Sequence, residues 1–255
     1  MTAGLVTDDL RVTFGDVVAV DGVSLTVPGA GCNGLIGPNG SGKTTFLNAV
    51  SGFVRASGSV TVDGRPVALG RPRSAVACGL ARTFQTPQTF VNLTCRENVL
   101  LGMSQEGITG LSATWVLRPR LARAERDRWG RAAALLDLVN LAGRADDLAG
   151  ALSYGEQRRL EIARALATGP KMVLLDEPAA GLNQRETEQL AELIERIRDD
   201  GVAFFLIEHK LDFVTRLCDR LSVLALGRVI AGGPPAEVLR DRDVMDAYLG
   251  MRTRA

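Results

Sequence analysis

A glycine-rich turn is the feature that most constrains how this chain can fold. Residues 37–44 read Gly-Pro-Asn-Gly-Ser-Gly-Lys-Thr and match the pattern G-x-x-x-x-G-K-[ST]. An apolar run at 34–36 precedes the turn and a helical pattern at 43–50 follows it, which is the context that the pattern requires. Successive backbone N–H groups of such a turn, and the positive end of the next helix, bind phosphate oxygens. The sequence therefore predicts a nucleoside triphosphate site between a strand and a helix.

Two side chains of this turn have predicted roles of their own. Lys43 would contact the β- and γ-phosphates of ATP, and the Thr44 hydroxyl would coordinate Mg²⁺. The residues predicted to bind nucleotide here are Gly37, Pro38, Asn39, Gly40, Ser41, Gly42, Lys43, Thr44 and Thr45.

A second segment, residues 171–177, is an apolar run that ends in two carboxylates, Asp176 and Glu177. A strand followed by a solvated acidic turn is the simple alternative, but the phosphate-binding turn upstream favours a functional interpretation. We expect Asp176 to belong to the Mg²⁺ shell and Glu177 to act as a base for the attacking water, or to orient it.

Composition excludes several other classes of protein. The 30 basic and 29 acidic residues leave a net charge of +1, which gives no general attraction to nucleic acid. The apolar runs fall far short of the roughly 20 residues that span a bilayer. No secretory signal is recognisable at the start of the chain, and the four cysteines are scattered without a C-x-x-C pair. We expect a cytosolic protein with reduced cysteines.

Hydrophobic periodicity predicts an α/β protein that forms one continuous domain over residues 1–255. Residues 5–27 alternate as half-buried antiparallel strands, interrupted at 15–16 and again at 21–22. The pattern is helical from about 92 to 167 and then alternates buried strands with helices up to residue 226. Such alternation predicts a parallel sheet covered by helices.

Residues 152–157, Leu-Ser-Tyr-Gly-Glu-Gln, begin one of the predicted helices. Ser153 stands as the N-cap and Gly155 permits close backbone approach, so the helix start is a second anion site. The order of these motifs resembles the ATP-binding cassette family, whose signature reads close to Leu-Ser-Gly-Gly-Gln. The likeness extends over essentially the whole chain. It implies a P-loop NTPase core with a mostly parallel sheet, an N-terminal antiparallel β subdomain and a helical signature subdomain over about 92–167.

The resemblance also implies further nucleotide contacts. Phe14 matches the aromatic side chain that stacks on adenine, although an ordinary core position in a strand is the alternative. Ser153 and Gly155 match the residues that contact the γ-phosphate held by the opposite subunit. Tyr154 and Glu156 depart from the commonest signature, and neither change removes the cap or the glycine contact.

By the same resemblance, the catalytic residues are Glu177, Gln85 and His209, and the Mg²⁺ ligands are Thr44, Gln85 and Asp176. Gln85 matches the glutamine that relays the nucleotide state to a partner. His209 matches the switch histidine; because it is the only His in the chain, a chance surface residue is the alternative. Asn183 stands where many members of the family have Asp.

Within the family, the sequence most resembles the ATP-binding subunits of branched-chain (hydrophobic) amino acid importers. The stretches that carry this likeness are 34–36, 81–85, 97–100, 158–164, 181–183 and 246–250. Urea and amide importers share most of them, so that alternative stays open. The chain would energise amino acid uptake from the cytoplasmic face of the membrane, as a peripheral protein with no transmembrane segment.

The partners implied are membrane permease subunits, a second ATPase subunit that is identical or related, and indirectly a solute-binding protein. The permease is expected to dock around Gln85, Phe90 and Glu97. A soluble cassette ATPase of DNA repair or translation is a competing interpretation, but it would need a coiled-coil insertion or two cassettes. A small P-loop kinase would leave the signature and the switch histidine without a role.

The stretch 118–131 contains six arginines interleaved with apolar residues. Together with Trp115, it could form a cationic amphipathic surface that contacts lipid head groups. A solvated helix is the alternative, because Glu125 and Asp127 dilute the positive charge.

Overall fold

The computed structural model of the chain describes residues 3–103 and 118–249. The chain divides into two compact units, which are described separately. The first comprises Met1–Gln85 and Pro170–Ala255, and the second is Thr86–Gly169.

In the described ranges, the strands all belong to the first unit. They are β1 (Ala3–Phe14), β2 (Val17–Pro28), β3 (Cys32–Ile36), β4 (Ser57–Val62), β5 (Arg65–Pro66), β6 (Leu80–Arg82), β7 (Met172–Asp176), β8 (Ala203–Ile207), β9 (Arg220–Ala225) and β10 (Arg228–Gly233). The α-helices of both units are α1 (Lys43–Val50), α2 (Pro72–Ala77), α3 (Cys95–Gly102), α4 (Arg118–Leu138), α5 (Tyr154–Leu166), α6 (Gln184–Asp199), α7 (Leu211–Leu217), α8 (Pro235–Val238) and α9 (Arg242–Leu249).

An antiparallel sheet of four strands, in the order β2-β1-β4-β5, contains the N-terminal residues. The predicted turn at 15–16 is confirmed, with Gly15 at a φ of 58°. The predicted interruption at 21–22 is wrong, because β2 continues through these residues. The residues form a β-bulge: β1 pairs Leu10 with Val23 and then Val12 with Val20, so β2 has one more residue than β1 between these pairs.

The second sheet of this unit has six strands in the order β10-β9-β3-β8-β7-β6. All neighbouring pairs are parallel except β9 and β10, which form an antiparallel hairpin at one edge. The predicted α/β fold with a mostly parallel sheet and an antiparallel N-terminal sheet is confirmed. Because β3, β6, β7 and β8 run parallel, the residues that follow them meet at one edge of the sheet.

The main core fills the space between the two sheets and α1. Every residue of β3, β7 and β8 is buried, as expected for strands covered on both faces. Phe46 of α1 packs edge-on against Phe205 of β8, with ring centroids 6.2 Å apart. Burying a side chain of this size contributes about 1.5–3 kcal/mol, so this packing fixes α1 on the sheet.

The second unit is helical, as the pattern over 92–167 predicts. Capping boxes begin two of its helices: Thr94 and Glu97 at α3, and Ser153 and Glu156 at α5. The buried Asn98 binds the loop before α3, because its side chain accepts from the Phe90 N–H and donates to the Phe90 carbonyl. None of the described helices is both long and apolar enough to cross a membrane.

The arginine-rich stretch is only partly described. Trp115 and the side chains of Arg118 and Arg120 lie outside the described residues. Trp129 of α4 is partly exposed, and the Arg96 guanidinium lies 5.3 Å from the centroid of its ring. Lipid contact by this helix stays a prediction.

Candidate active site

The phosphate-binding turn is fixed by two glycines that no other residue could replace. Gly37 and Gly42 have φ angles of 152° and 102°. A Cβ atom would lie 2.1 Å from the Leu224 carbonyl oxygen at Gly37, and 2.2 Å from the Ala19 carbonyl oxygen at Gly42. The turn therefore packs directly on the backbone of β9 and β2.

The Lys43 side chain folds over the turn. Its Nζ donates to the carbonyl oxygens of Gly37, at 2.8 Å, and Pro38, at 2.9 Å. Burial lowers the pKa of this ammonium, while the nearby carboxylates of Glu177 and Asp176 raise it. The charge is thus held inside the turn rather than exposed, at the place predicted for the phosphates.

The donors of the turn fit a phosphate group. Ser41 Oγ is buried and has no hydrogen-bond partner among the described residues. Gly42 is the N-cap of α1 and supplies no side-chain cap, and the first turn of α1 contains no acidic residue. Unpaired N–H groups at a helix start favour an anion, so the residues present match the predicted triphosphate.

Asp176, at the end of β7, is buried and paired with Arg82. The Arg82 guanidinium lies 3.0 Å from Asp176 Oδ2 and also donates to Asn48 Oδ1 and Ser51 Oγ, at 2.7 and 2.8 Å. Burial lowers the pKa of Arg82, and the Asp176 carboxylate opposes this shift. Arg82 is a residue of the site that the sequence did not predict, because its partner Asp176 lies 94 positions away in the chain.

The three predicted catalytic residues lie close together, with Gln85 and His209 on either oxygen of the Glu177 carboxylate. Its Oε2 accepts a hydrogen bond of 2.8 Å from Gln85 Nε2, and its Oε1 lies 3.9 Å from His209 Nδ1. Glu177 also has a φ of 47°, which is unusual for a residue other than glycine. Strained backbone of this kind is concentrated at functional sites. The His209 side chain is about half exposed and reaches towards the carboxylate from the segment after β8.

The predicted Mg²⁺ ligands Thr44, Gln85 and Asp176 supply a hydroxyl, an amide oxygen and a carboxylate. Oxygen donors of these kinds suit Mg²⁺. Across the described parts of the chain, no group of three or more His, Cys, Asp and Glu side chains could hold a metal by itself. Mg²⁺ usually keeps several waters and binds substrate phosphates, so a cation on these three residues would take its other ligands from phosphate oxygens and water.

Phe14 ends β1 beside the turn at 15–16, and 53% of it is exposed. The alternative of an ordinary core position is therefore wrong. Val17 and Val18, across the turn, are also exposed. This end of the hairpin presents apolar surface of the kind that a stacked base would cover, and the adenine contact itself stays a prediction.

In the helical unit, Ser153 is the N-cap of α5, as predicted. Its Oγ accepts from the Glu156 N–H at 3.3 Å, and Glu156 Oε2 accepts from the Ser153 N–H at 2.8 Å. Glu156, a departure from the commonest signature, therefore completes a capping box and also pairs with Arg144 at 3.2 Å. Gly155 is buried in the first turn of the helix.

Tyr154, the other departure, contacts a buried ion pair. Arg158 and Glu161 are almost fully buried, with Arg158 Nη1 3.0 Å from Glu161 Oε2. Arg158 Nη2 donates to the Tyr154 hydroxyl at 3.3 Å, and Glu161 Oε1 accepts from the Gln88 N–H at 3.2 Å. The start of the signature helix is thus connected to the segment that follows Gln85 in the sequence.

We expect Tyr154→Phe to lower the free energy of unfolding by about 1 kcal/mol, because it removes one hydrogen bond from the Arg158 guanidinium and keeps the ring. Urea unfolding followed by circular dichroism measures the change. Unaltered stability would mean that the hydroxyl contributes nothing to the buried pair.

Residues 20–180 match the family model described as ABC transporter, and residues 228–250 match that of the branched-chain amino acid ATP-binding cassette transporter. The high-affinity branched-chain amino acid transport ATP-binding protein LivG of Salmonella typhimurium is 40% identical, over 96% of this chain and 97% of its own length. BraF of Pseudomonas aeruginosa, which has the same description, is 40% identical over 94% of this chain and 95% of its own.

Solved structures agree with these relatives. A nucleotide-free ATP-binding cassette from an ABC transporter aligns with a TM-score of 0.82 and 33% identity, over 96% of this chain and 98% of that one. The ADP conformation of an ATP-binding cassette of an ABC transporter also aligns at 0.82, with 32% identity, over 98% and 100%. The chain belongs to the ABC transporter family of ATP-hydrolysing proteins.

Proposed function

We propose that this chain is the ATP-hydrolysing subunit of an importer that takes up branched-chain or other hydrophobic amino acids through separate membrane permease subunits. The observation that carries the proposal is the likeness, over nearly the full length, to two branched-chain amino acid transport ATP-binding proteins. The match of the C-terminal segment supports the same solute class.

The binding step follows from the turn. On binding ATP, the Lys43 ammonium leaves the carbonyls of Gly37 and Pro38 and contacts the β- and γ-phosphate oxygens. Backbone N–H groups of the turn and the Ser41 hydroxyl donate to the same phosphates. Bound Mg²⁺, held by Thr44, Asp176 and Gln85, would neutralise part of the phosphate charge.

The chemical step uses Glu177 as the base. Gln85 holds Oε2 of the carboxylate, which leaves Oε1 facing His209. A water positioned at Oε1 gives its proton to Glu177 while its oxygen attacks the γ-phosphorus, and ADP leaves with the bridging oxygen. His209, on the other side of that water, would stabilise the transferred phosphoryl group.

The proposed assembly contains a second ATPase subunit, identical or related, whose nucleotide is completed by Ser153 and Gly155 of this chain. Permease subunits would place both at the cytoplasmic face of the membrane, and a solute-binding protein would act outside it.

In the first unit, Phe53 and Phe84 line a cavity of about 120 Å³. Phe53 and the neighbouring Val76 are about half exposed, so this apolar surface is available to a partner.

Proteoliposomes test the solute. The chain, assembled with the permeases and the binding protein of a branched-chain amino acid importer, should hydrolyse ATP faster when leucine, isoleucine or valine is added, and the proteoliposomes should accumulate these amino acids. Assemblies with Glu177→Gln should do neither. Stimulation by urea and not by leucine would contradict the proposed solute while leaving the ATPase assignment intact.

Phe90 offers a test of the permease contact. Its side chain is 53% exposed and lies beneath the Arg164 guanidinium, while Asn98 fixes its backbone. We expect Phe90→Ala to leave the basal ATPase activity of the isolated subunit nearly unchanged and to lower solute-stimulated activity and uptake at least tenfold, about 1.4 kcal/mol of coupling.

Leu101→Ala is the control for Phe90→Ala, since Leu101 is equally exposed on α3. An equal loss of basal and stimulated activity in Phe90→Ala would contradict docking at this position. Glu97 does not suit the same test, because it completes the capping box of α3 and its reversal would damage the helix.

A further inference from the structure

Glu208 is a fully buried carboxylate beside the active site that the mechanism above does not use. It follows β8 and precedes His209. Its Oε1 accepts from the Ala179 N–H at 2.9 Å, and its Oε2 accepts from the N–H groups of His209 and Lys210 at 2.8 and 3.1 Å. Three charge-assisted hydrogen bonds of this kind offset the cost of burying the charge.

Lys210 makes the reciprocal connection. Its Nζ donates to the carbonyl oxygen of Ala179 at 2.7 Å and reaches that of Leu182 at 3.5 Å. Segment 208–210, which carries His209, is therefore fastened to segment 179–182 by a carboxylate and by an ammonium. The second segment follows Glu177 in the chain.

The strands beneath these segments are neighbours. Asp176 of β7 pairs with Ile207 of β8, and the Glu177 N–H donates to the Ile207 carbonyl. His209 Nδ1 lies 3.7 Å from Glu208 Oε2, close to its 3.9 Å separation from Glu177 Oε1. Because the imidazole is half exposed, packing alone does not fix it. The hydrogen bonds from the His209 and Lys210 N–H groups to Glu208 hold the backbone that carries it.

We infer that Glu208 is a positioning residue for hydrolysis: its carboxylate fastens the segment that carries His209 to the segment that follows Glu177, and so sets the imidazole beside the Glu177 carboxylate. The inference goes beyond the proposed import function and requires from it only that Glu177 and His209 act in hydrolysis.

Glu208→Gln is the direct test. The amide keeps the size of the side chain but replaces one accepting oxygen with an NH₂ group, so at least one of the three N–H donors loses its acceptor. We expect kcat for ATP to fall about tenfold while KM stays within about twofold, because Lys43 and the phosphate-binding turn are untouched. Asp212→Asn, an exposed carboxylate on the following helix, is the matched control.

A double-mutant cycle with His209→Ala separates positioning from a structural role. If Glu208 acts through His209, Glu208→Gln should change kcat less than about twofold in the His209→Ala background. A tenfold fall in both backgrounds, or a raised KM, would overturn the inference. A His209→Ala enzyme as active as the wild type would also overturn the inference, because Glu208 would then have nothing to act through. That result would not bear on the import function, which solute-stimulated hydrolysis tests separately.

Thermal unfolding shows directly whether Glu208→Gln folds. If it does not, Lys210→Met is the variant that tests the inference. This variant loses the donation to the Ala179 carbonyl and leaves the Glu208 charge in place. Its kcat should fall several-fold with His209 present and not in the His209→Ala background. Equal falls in both backgrounds would reject positioning of His209.

Discussion

Lys43→Ala should abolish ATP binding. The variant lacks the ammonium that is held inside the turn by the carbonyls of Gly37 and Pro38, where the β- and γ-phosphates are predicted to bind. Charge-assisted contacts to phosphate are the strong ones in such a site, and we expect the affinity to fall at least 100-fold, about 2.7 kcal/mol. Isothermal calorimetry of the full chain with ATP and Mg²⁺ measures it.

The structure also indicates that Lys43→Ala destabilises the fold. The sequence alone suggests an exposed charge whose loss is harmless, but Lys43 is only 7% exposed and binds two carbonyls of the turn. We therefore expect a loss of about 1–2 kcal/mol of stability as well. Lys171→Ala, which removes an exposed lysine paired with Asp63, is the control. Affinity within about tenfold of the wild type, ~1.4 kcal/mol, would show that the turn is not the phosphate site.

Glu177→Gln should separate binding from chemistry. Glutamine retains an oxygen that can accept the hydrogen bond from Gln85, so the ground-state geometry survives while the basicity at the water is lost. Hydrolysis should fall by about two orders of magnitude or more, with ATP affinity nearly unchanged. Phosphate release and calorimetry on the same preparation test both statements.

With ATP and Mg²⁺, the Glu177→Gln chain should be trapped as a dimer that encloses two nucleotides, measured by light scattering with the permeases present. Glu188→Gln, an exposed carboxylate on α6, controls for the change of charge. A variant that hydrolyses ATP within about tenfold of the wild-type rate would contradict the role of Glu177 as base. A trapped protein containing a single ATPase subunit would contradict the shared site.

Local sequence patterns could predict those parts of the site whose contacting residues are close together in the sequence. The turn at 37–44, the α1 bounds and the strand ending in Asp176 each follow from a short pattern, because strand, glycine turn and helix are consecutive. The proximity of Gln85 to Glu177 does not, since the two residues are 92 positions apart and meet only through the strand order β8-β7-β6. For Gln85 and His209, family resemblance supplied what spacing could not.

Buried charges were the main omission. Arg82 and Glu208 look unremarkable in the sequence, because the contacts that tie each of them to the site are made with distant segments. Arg82 pairs with Asp176, and Glu208 accepts from the Ala179 N–H. The bulge at 21–22 was missed for the same kind of reason. A glycine there indicates a turn locally, and only pairing with β1 makes it part of a continuous strand.

The two glycines of the turn have a genetic consequence. The atoms that exclude a Cβ at Gly37 and Gly42 are carbonyl oxygens of Leu224 and Ala19, and every amino acid has that oxygen. No second-site substitution at 19 or 224 can therefore suppress a replacement of either glycine. At Gly40, none of the described residues has a heavy atom within 4 Å of the Cβ position, and Asn or Asp tolerates its φ of 76°. A saturation library sorted for folded protein should thus recover variants at 40 and none at 37 or 42.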